Sequence, residues 1–220
     1  RLPNLALDCR SLSHLKGFRK IGAGRQGVIY AANMRPNYLT KEIAIKVAPF
    51  DKAAERRGEA QPAQWAHEPL PSIQAALHCL GVRPGDEVLV PAVAVLPSVF
   101  PISANSAKPV AVDIRPNSLD FDQGDLVRKI TPRTKAALIV PLWGYPINIE
   151  ETKGILEQYR IPLIEDAAHA HGAMLGKRYV GTFGSIGCFS THDRKLLSTG
   201  EGGFILTNSS ELANSVRDFT

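Results

Sequence analysis

From residue 87 onward the chain alternates short apolar runs with stretches of helical spacing, and that alternation narrows the folds open to it. The runs are EVLVPAV (87–93), KPVAVDI (108–114), AALIVPLW (136–143) and IPLIEDA (161–167), followed by GCFSTH (187–192) and GGFILT (202–207). Each is nearly continuous in apolar character, as strands buried on both faces are. IQAALHCL (73–80) and IEETKGILEQYR (149–160) place apolar residues near helical spacing, and RPGD (83–86) reads as a turn. Strands separated by helices imply an α/β architecture, a mostly parallel sheet flanked by helices. In such a sheet ligands bind at the carboxyl ends of the strands.

Composition excludes several classes. With 44% hydrophobic and 21% charged residues the balance is that of a globular chain. The longest apolar stretch, around Val88 to Ile102, is interrupted by Pro91, Pro97 and Pro101 and is too short to span a bilayer, so no membrane partner is expected. No apolar run of a signal peptide follows Arg1. Cys9, Cys79 and Cys188 are odd in number and lack metal-ligand spacing, so a reducing cytoplasm without disulfides or bound metal is expected. The net charge of +5 arises at the front, where residues 1–60 hold 12 Lys and Arg against 5 Asp and Glu. No aromatic residues interleave with these cations as they do in nucleic-acid-binding surfaces, so a solvated basic face or a segment of separate origin is expected.

Three parts follow: a small β-rich segment (1–50), a short helix and linker (51–70), and the α/β region (71–220). FRKIGAGRQGVIYAA (18–32) has the pattern of a hairpin around a Gly-rich turn, and EIAIKVA (42–48) that of a further strand. The linker is marked by charge, Ala, Gln and Pro.

Chemistry-bearing residues gather at the ends of the later strands. Asp166 ends the strand at 161–166; taken alone it reads as a helix cap. Lys195 lies 29 residues further on, with the Gly-rich Thr199–Gly203 stretch behind it, where a backbone can approach a ligand closely. A lysine that attacks a carbonyl must first lose its proton, so it needs surroundings that lower its pKa. Ser190 offers a hydroxyl five residues ahead of Lys195.

EDAAHAHGA (165–173), GTFGSIGCFSTHDRK (181–195) and STGEGG (198–203) resemble the DegT/DnrJ/EryC1/StrS family of sugar aminotransferases. The register continues upstream through GVRPGDEVLVPA (81–92), AKPVAVDIRPNSLDFD (107–122) and PLWGYPINIEE (141–151), about 150 residues in all. The resemblance implies the large domain of a fold-type-I pyridoxal 5′-phosphate (PLP) enzyme. By position, Asp166 would pair with the pyridinium nitrogen, Lys195 would form the internal aldimine and Ser190 would hold the phosphate. His169 would lie beside the cofactor. It further implies glutamate or glutamine as amino donor, a nucleotide-linked keto-sugar or keto-cyclitol as acceptor, and a homodimer. His171 reads as a helix-surface residue, His192 as either a positioning or a catalytic group, and Trp143 and Tyr145 as packing residues.

Departures from the family pattern are local. Where the family has Ser-Gly-Thr-Ala-Ala-Leu to grip the phosphate, this chain has Ser72-Ile-Gln-Ala-Ala-Leu77, leaving Ser72 and Gln74 as substitutes. The stretch 92–98 lacks the usual aromatic, and the small C-terminal domain of the family is not expected within residues 71–220. A second resemblance concerns the front: Gly22-Ala-Gly24-Arg-Gln-Gly27-Val28 and Ala44-Ile45-Lys46 are similar to the first strands of a protein-kinase N-lobe. No HRDxxxxN sequence follows and Asp218-Phe219-Thr220 falls inside the aminotransferase register, so kinase activity is not expected. The alternative to an enzyme is a non-catalytic PLP-fold remnant or a binding or regulatory module.

Overall fold

A computed structural model describes residues 71–145, 147–198 and 202–219, together with the backbone of three earlier strands: β1 (Leu15–Gly24), β2 (Gly27–Met34) and β3 (Glu42–Val47). The expected linker at 51–70 lies outside the described residues. The later strands are β4 (Glu87–Pro91), β5 (Lys108–Val112), β6 (Thr134–Ile139), β7 (Leu163–Asp166), a two-stranded pair β8 (Met174–Leu175) and β9 (Arg178–Tyr179), β10 (Ile186–Ser190) and β11 (Gly202–Thr207). The helices are α1 (Pro71–Cys79), α2 (Leu96–Ala104), α3 (Gln123–Lys129), α4 (Ile149–Gln158) and α5 (Ser210–Asp218). One nine-stranded sheet runs in the order β1-β2-β3-β11-β10-β7-β6-β4-β5. From β5 to β10 neighbours are parallel; β11 turns antiparallel, and β3, β2 and β1 follow it in antiparallel pairing.

Alternation along the strands builds two cores. Ala136 and Leu138 of β6 belong with Ile73, Ile102 and Val216, from α1, α2 and α5. Ala137 and Ile139 belong with Leu126, Ile149 and Leu156, from α3 and α4. Successive residues of a strand point to opposite faces, so continuous apolar runs are what a sheet covered on both faces requires. The same parity puts Asp166 on the face of Ile164, and Ser190 on that of Ile186 and Cys188, toward α1 and α2.

Strands end earlier than the apolar runs suggest, and proline is the reason. β4 stops at Pro91, and β6 stops before Pro141, because proline has no N–H for the ladder. After Pro141 a short 3₁₀ turn, Leu142–Gly144, replaces the expected end of the strand. The apolar residues beyond Pro91 form α2, unforeseen in the sequence, with Pro97 in its first turn. α3 and α5 were also unforeseen, yet both start on a cap: Asp122 accepts from the Asp125 N–H at 2.7 Å, and Ser209 accepts from the Leu212 N–H at 3.2 Å.

At the front, β1–β3 form the antiparallel set expected for residues 18–48, but β3 pairs with β11 of the same sheet. Asp218 ends α5 and Phe219 packs on His78 with ring centroids 4.9 Å apart, so these two residues belong to a helix end. The kinase likeness gains no support.

Asp125 anchors α3 to β5. Its carboxylate accepts from the Asp113 N–H at 2.7 Å and pairs with Lys129 at 2.7 Å and Arg128 at 3.1 Å. The Asp113 N–H, then Lys129, hold its pKa down at about 2, against an ordinary 3.8. A depressed carboxylate stabilises the fold fully above pH 3.8, and that contribution is lost as pH falls toward 2. Asp125→Asn should therefore cost about 2 kcal/mol at pH 7. In urea unfolding at stepped pH the gap to the unsubstituted chain should close as pH approaches 2.

Candidate active site at the carboxyl ends of the strands

Asp166 ends β7 with only 4% of its surface exposed. Its Oδ2 accepts from the Ser98 hydroxyl at 2.5 Å and its Oδ1 from the Ala168 N–H at 3.1 Å. Burial raises its pKa, while these two donors and the nearby His169 and Lys195 oppose the rise. No lysine or arginine forms an ion pair with it among the described residues. A buried carboxylate in that state is poised to receive a cation. Ser98, fully buried on α2, is a member of the site that sequence reading missed. The available signal was a lone hydroxyl inside the apolar run 88–102.

Lys195 stands five residues beyond β10, its N–H bonded to the His192 carbonyl at 3.0 Å. Burial lowers its pKa, and Asp166 acts in the opposite sense. Each group thus feels the other's charge although 29 residues separate them in sequence. Ser190 ends β10, buried, and its Oγ accepts from the His192 N–H at 3.3 Å. β10 lies next to β7, with Cys188 opposite Asp166.

Ser72 joins from α1: its carbonyl accepts from the Cys188 thiol at 3.5 Å, which sets the start of the helix over β10. Gln74 is two residues along the same helix, and positions i and i+2 do not share a face, so the structure ties Ser72 to β10 but not Gln74.

No helix follows β7; residues 167–173 are turns. The helix-surface reading of His171 is therefore corrected. Its ring lies edge-on to Phe189 at 5.4 Å and Phe204 at 6.2 Å, themselves stacked at 4.5 Å. Burial lowers its pKa, and the Ser190 backbone opposes that. Likewise Asp166 caps a turn, not a helix. His169 is half-buried, and its Nδ1 is a buried atom without a hydrogen-bond partner. Burial, then Lys195, lower its pKa. His192 instead pairs with Asp193 at 2.7 Å. Trp143, expected to pack, is 79% exposed at φ 55°, and Tyr145 is exposed beside it. Left-handed backbone in a bulky residue is uncommon. Gly144 at φ 73° follows it, close to the His169 carbonyl.

Beneath the site, Glu165 is wholly buried on the other face of β7. Its two oxygens accept from the N–H groups of Gly181 and Gly184, each at 2.6 Å. Burial raises its pKa, against the pull of those N–H groups. The loop packs so closely that a Cβ at Gly184 would overlap the Leu163 carbonyl, and one at Gly187 the Gly181 carbonyl. The spaced glycines of GTFGSIG serve this contact.

Residues 71–220 match the DegT/DnrJ/EryC1/StrS aminotransferase family. The chain is 40% identical over 142 residues to an L-glutamine:2-deoxy-scyllo-inosose aminotransferase of Micromonospora echinospora, covering 64% of this chain and 34% of that protein. Its fold is similar to that of Streptomyces venezuelae DesV solved with a ketimine intermediate (TM-score 0.63, 37% identity, 66% of this chain and 40% of that one). It is also similar to a GDP-4-keto-6-deoxymannose-3-dehydratase with a trapped PLP-glutamate geminal diamine (TM-score 0.62, 32% identity, 68% and 41%). These likenesses show the fold-type-I architecture expected from the sequence. The chain spans about a third of the length of the first of these relatives. On the match across residues 71–220, the chain belongs to the DegT/DnrJ/EryC1/StrS aminotransferase family.

Proposed function

We propose that residues 71–220 are the large domain of a PLP-dependent aminotransferase. It would move an amino group from glutamate or glutamine to a nucleotide-linked keto-sugar or keto-cyclitol. The observation that carries this reading is Asp166, a carboxylate buried at the end of β7 and held by Ser98 and the Ala168 N–H, next to β10, which ends in Ser190 and leads to Lys195. The orphaned Nδ1 of His169 beside them fits a bound heterocycle that carries hydrogen-bonding groups.

PLP, when bound, supplies an electron sink that weakens a C–H bond next to nitrogen. Asp166 would hold the ring nitrogen, whose positive charge would offset the cost of burying the carboxylate. Ser98 and the Ala168 N–H hold Asp166 in place for that contact. Lys195 would hold the cofactor, and its amine, once free, would move the proton at the substrate carbon as base and then acid. Ser190 and Ser72 would hold the phosphate near the start of α1, whose first turn has no acidic residue; Gln74 is a further candidate there. His169, with its buried unpartnered Nδ1, would orient the ring.

The β-rich front of the chain adds its three strands to the edge of the same sheet beside β11, and the working protein is a cytoplasmic homodimer. Among the described residues no helix is long and apolar enough to cross a membrane.

The test is a single turnover. The PLP-loaded chain mixed with L-glutamate or L-glutamine should release the matching 2-oxo acid in proportion to bound PLP. Bound PLP with no 2-oxo acid from either donor would favour the non-catalytic module.

A further inference from the structure

Each oxygen of the Asp166 carboxylate receives one donor, and the two donors differ in kind. The Ala168 N–H belongs to the turn that Asp166 itself opens. The Ser98 hydroxyl reaches the other oxygen at 2.5 Å from a helix 68 residues earlier in the chain. A serine inside a helix can bond back to a carbonyl of the preceding turn. Ser98, fully buried on α2, gives its proton across to β7 instead. A donor aimed at a carboxylate favours its ionised form, which burial opposes.

The other elements around Asp166 offer it no comparable donor. α2 (LPSVFPISA) carries no charged residue, and the end of β6 beside β7 holds Leu138, Ile139 and Val140. On β10, Cys188 stands opposite Asp166 but gives its thiol to the Ser72 carbonyl. α1 has His78 and Cys79 only at its far end, and Glu165 is turned to the other face, toward Gly181 and Gly184. His169 and Lys195, after β7 and β10, act on Asp166 through their charge.

Resting on the cofactor assignment above, we propose that Ser98 is a positioning residue for the reaction: its hydroxyl keeps Asp166 ionised against the ring nitrogen of PLP, and so keeps a proton on that nitrogen. Without the hydroxyl, Asp166 would take that proton, leaving a neutral acid against a neutral ring, with no proton gained or lost by the pair. The charge on the ring nitrogen has a second effect, because like charges oppose each other. It makes a proton harder to hold on the nitrogen that joins Lys195 to the cofactor. Ser98 thus acts on the lysine adduct through Asp166.

The full chain is loaded with PLP, and the visible band of the lysine adduct is followed as pH is raised. Ser98→Ala should move the midpoint of the band's change upward by about one pH unit, the size expected for one hydrogen bond to a charged group. Ser98→Thr, which keeps the hydroxyl, should restore the original midpoint. With a PLP analogue that has carbon in place of the ring nitrogen, Ser98→Ala and the unsubstituted chain should share one midpoint. Far-UV circular dichroism checks the fold, and Ser98→Cys, a weaker donor of similar size, replaces Ser98→Ala if that variant does not fold and should move the midpoint part of the way. A midpoint that stays in place with PLP, or moves equally with the analogue, overturns the inference while leaving the site reading intact. An unsubstituted chain that forms no adduct with either compound overturns the site reading and this inference together.

Discussion

Lys195→Ala should lower amino transfer by on the order of 10²–10⁴-fold, and it should remove every borohydride-fixable pyridoxyl group from the protein. The size follows from two roles held by one amine. In the proposed function Lys195 would both hold the cofactor and serve as the acid and base at the substrate carbon, so its loss would remove both at once. Its place supports both roles, since burial lowers its pKa, favouring the neutral amine, while Asp166 close by limits the shift. Asp166, Ser98 and Ser190 remain in the variant, so reversible PLP binding should persist at reduced strength. Single-turnover 2-oxo acid release measures the first effect, and visible spectra after borohydride the second. Retained turnover would place the chemistry elsewhere.

Glu165→Leu should destabilise the fold by about 2–6 kcal/mol, the largest loss expected from any single side chain away from the reacting groups. Leucine fills similar space but accepts no hydrogen bond. The N–H groups of Gly181 and Gly184, each now bonded at 2.6 Å, would be left without an acceptor. The loop cannot simply move away, since the Leu163 carbonyl abuts Gly184 and the Gly181 carbonyl abuts Gly187. Because the loop leads directly into β10, its loosening would also displace Ser190 and Lys195. Glu165→Gln, which keeps one acceptor, should lose roughly half as much. Urea unfolding of the three proteins at pH 7 gives the comparison; a Leu variant as stable as the original would mean that the loop is held by packing alone.

The α/β plan was legible because strands buried on both faces read as continuous apolar runs, from EVLVP at 87–91 to GGFILT at 202–207. Asp166, Ser190 and Lys195 were legible as candidates because they stand at or just beyond strand ends, where such sheets bind ligands. α2 escaped notice because Pro97 and Pro101 break the apolar periodicity that marks a helix, although proline is tolerated in a first turn. Ser98 was hidden with it. His171 was misread because EDAAHAHGA suggests a helix by composition, whereas the chain turns after β7 and carries the imidazole against Phe189 and Phe204. The role of Glu165 was out of reach for another reason. Its partners lie 16 and 19 residues away and are backbone groups, which no side-chain pattern advertises.

Titration of the purified chain with PLP, then borohydride reduction and peptide mapping, tests the central claim most directly. The account predicts a visible adduct band and a pyridoxyl group on Lys195 alone. A folded chain that gives no band, or one that carries the pyridoxyl group on another lysine, would contradict it.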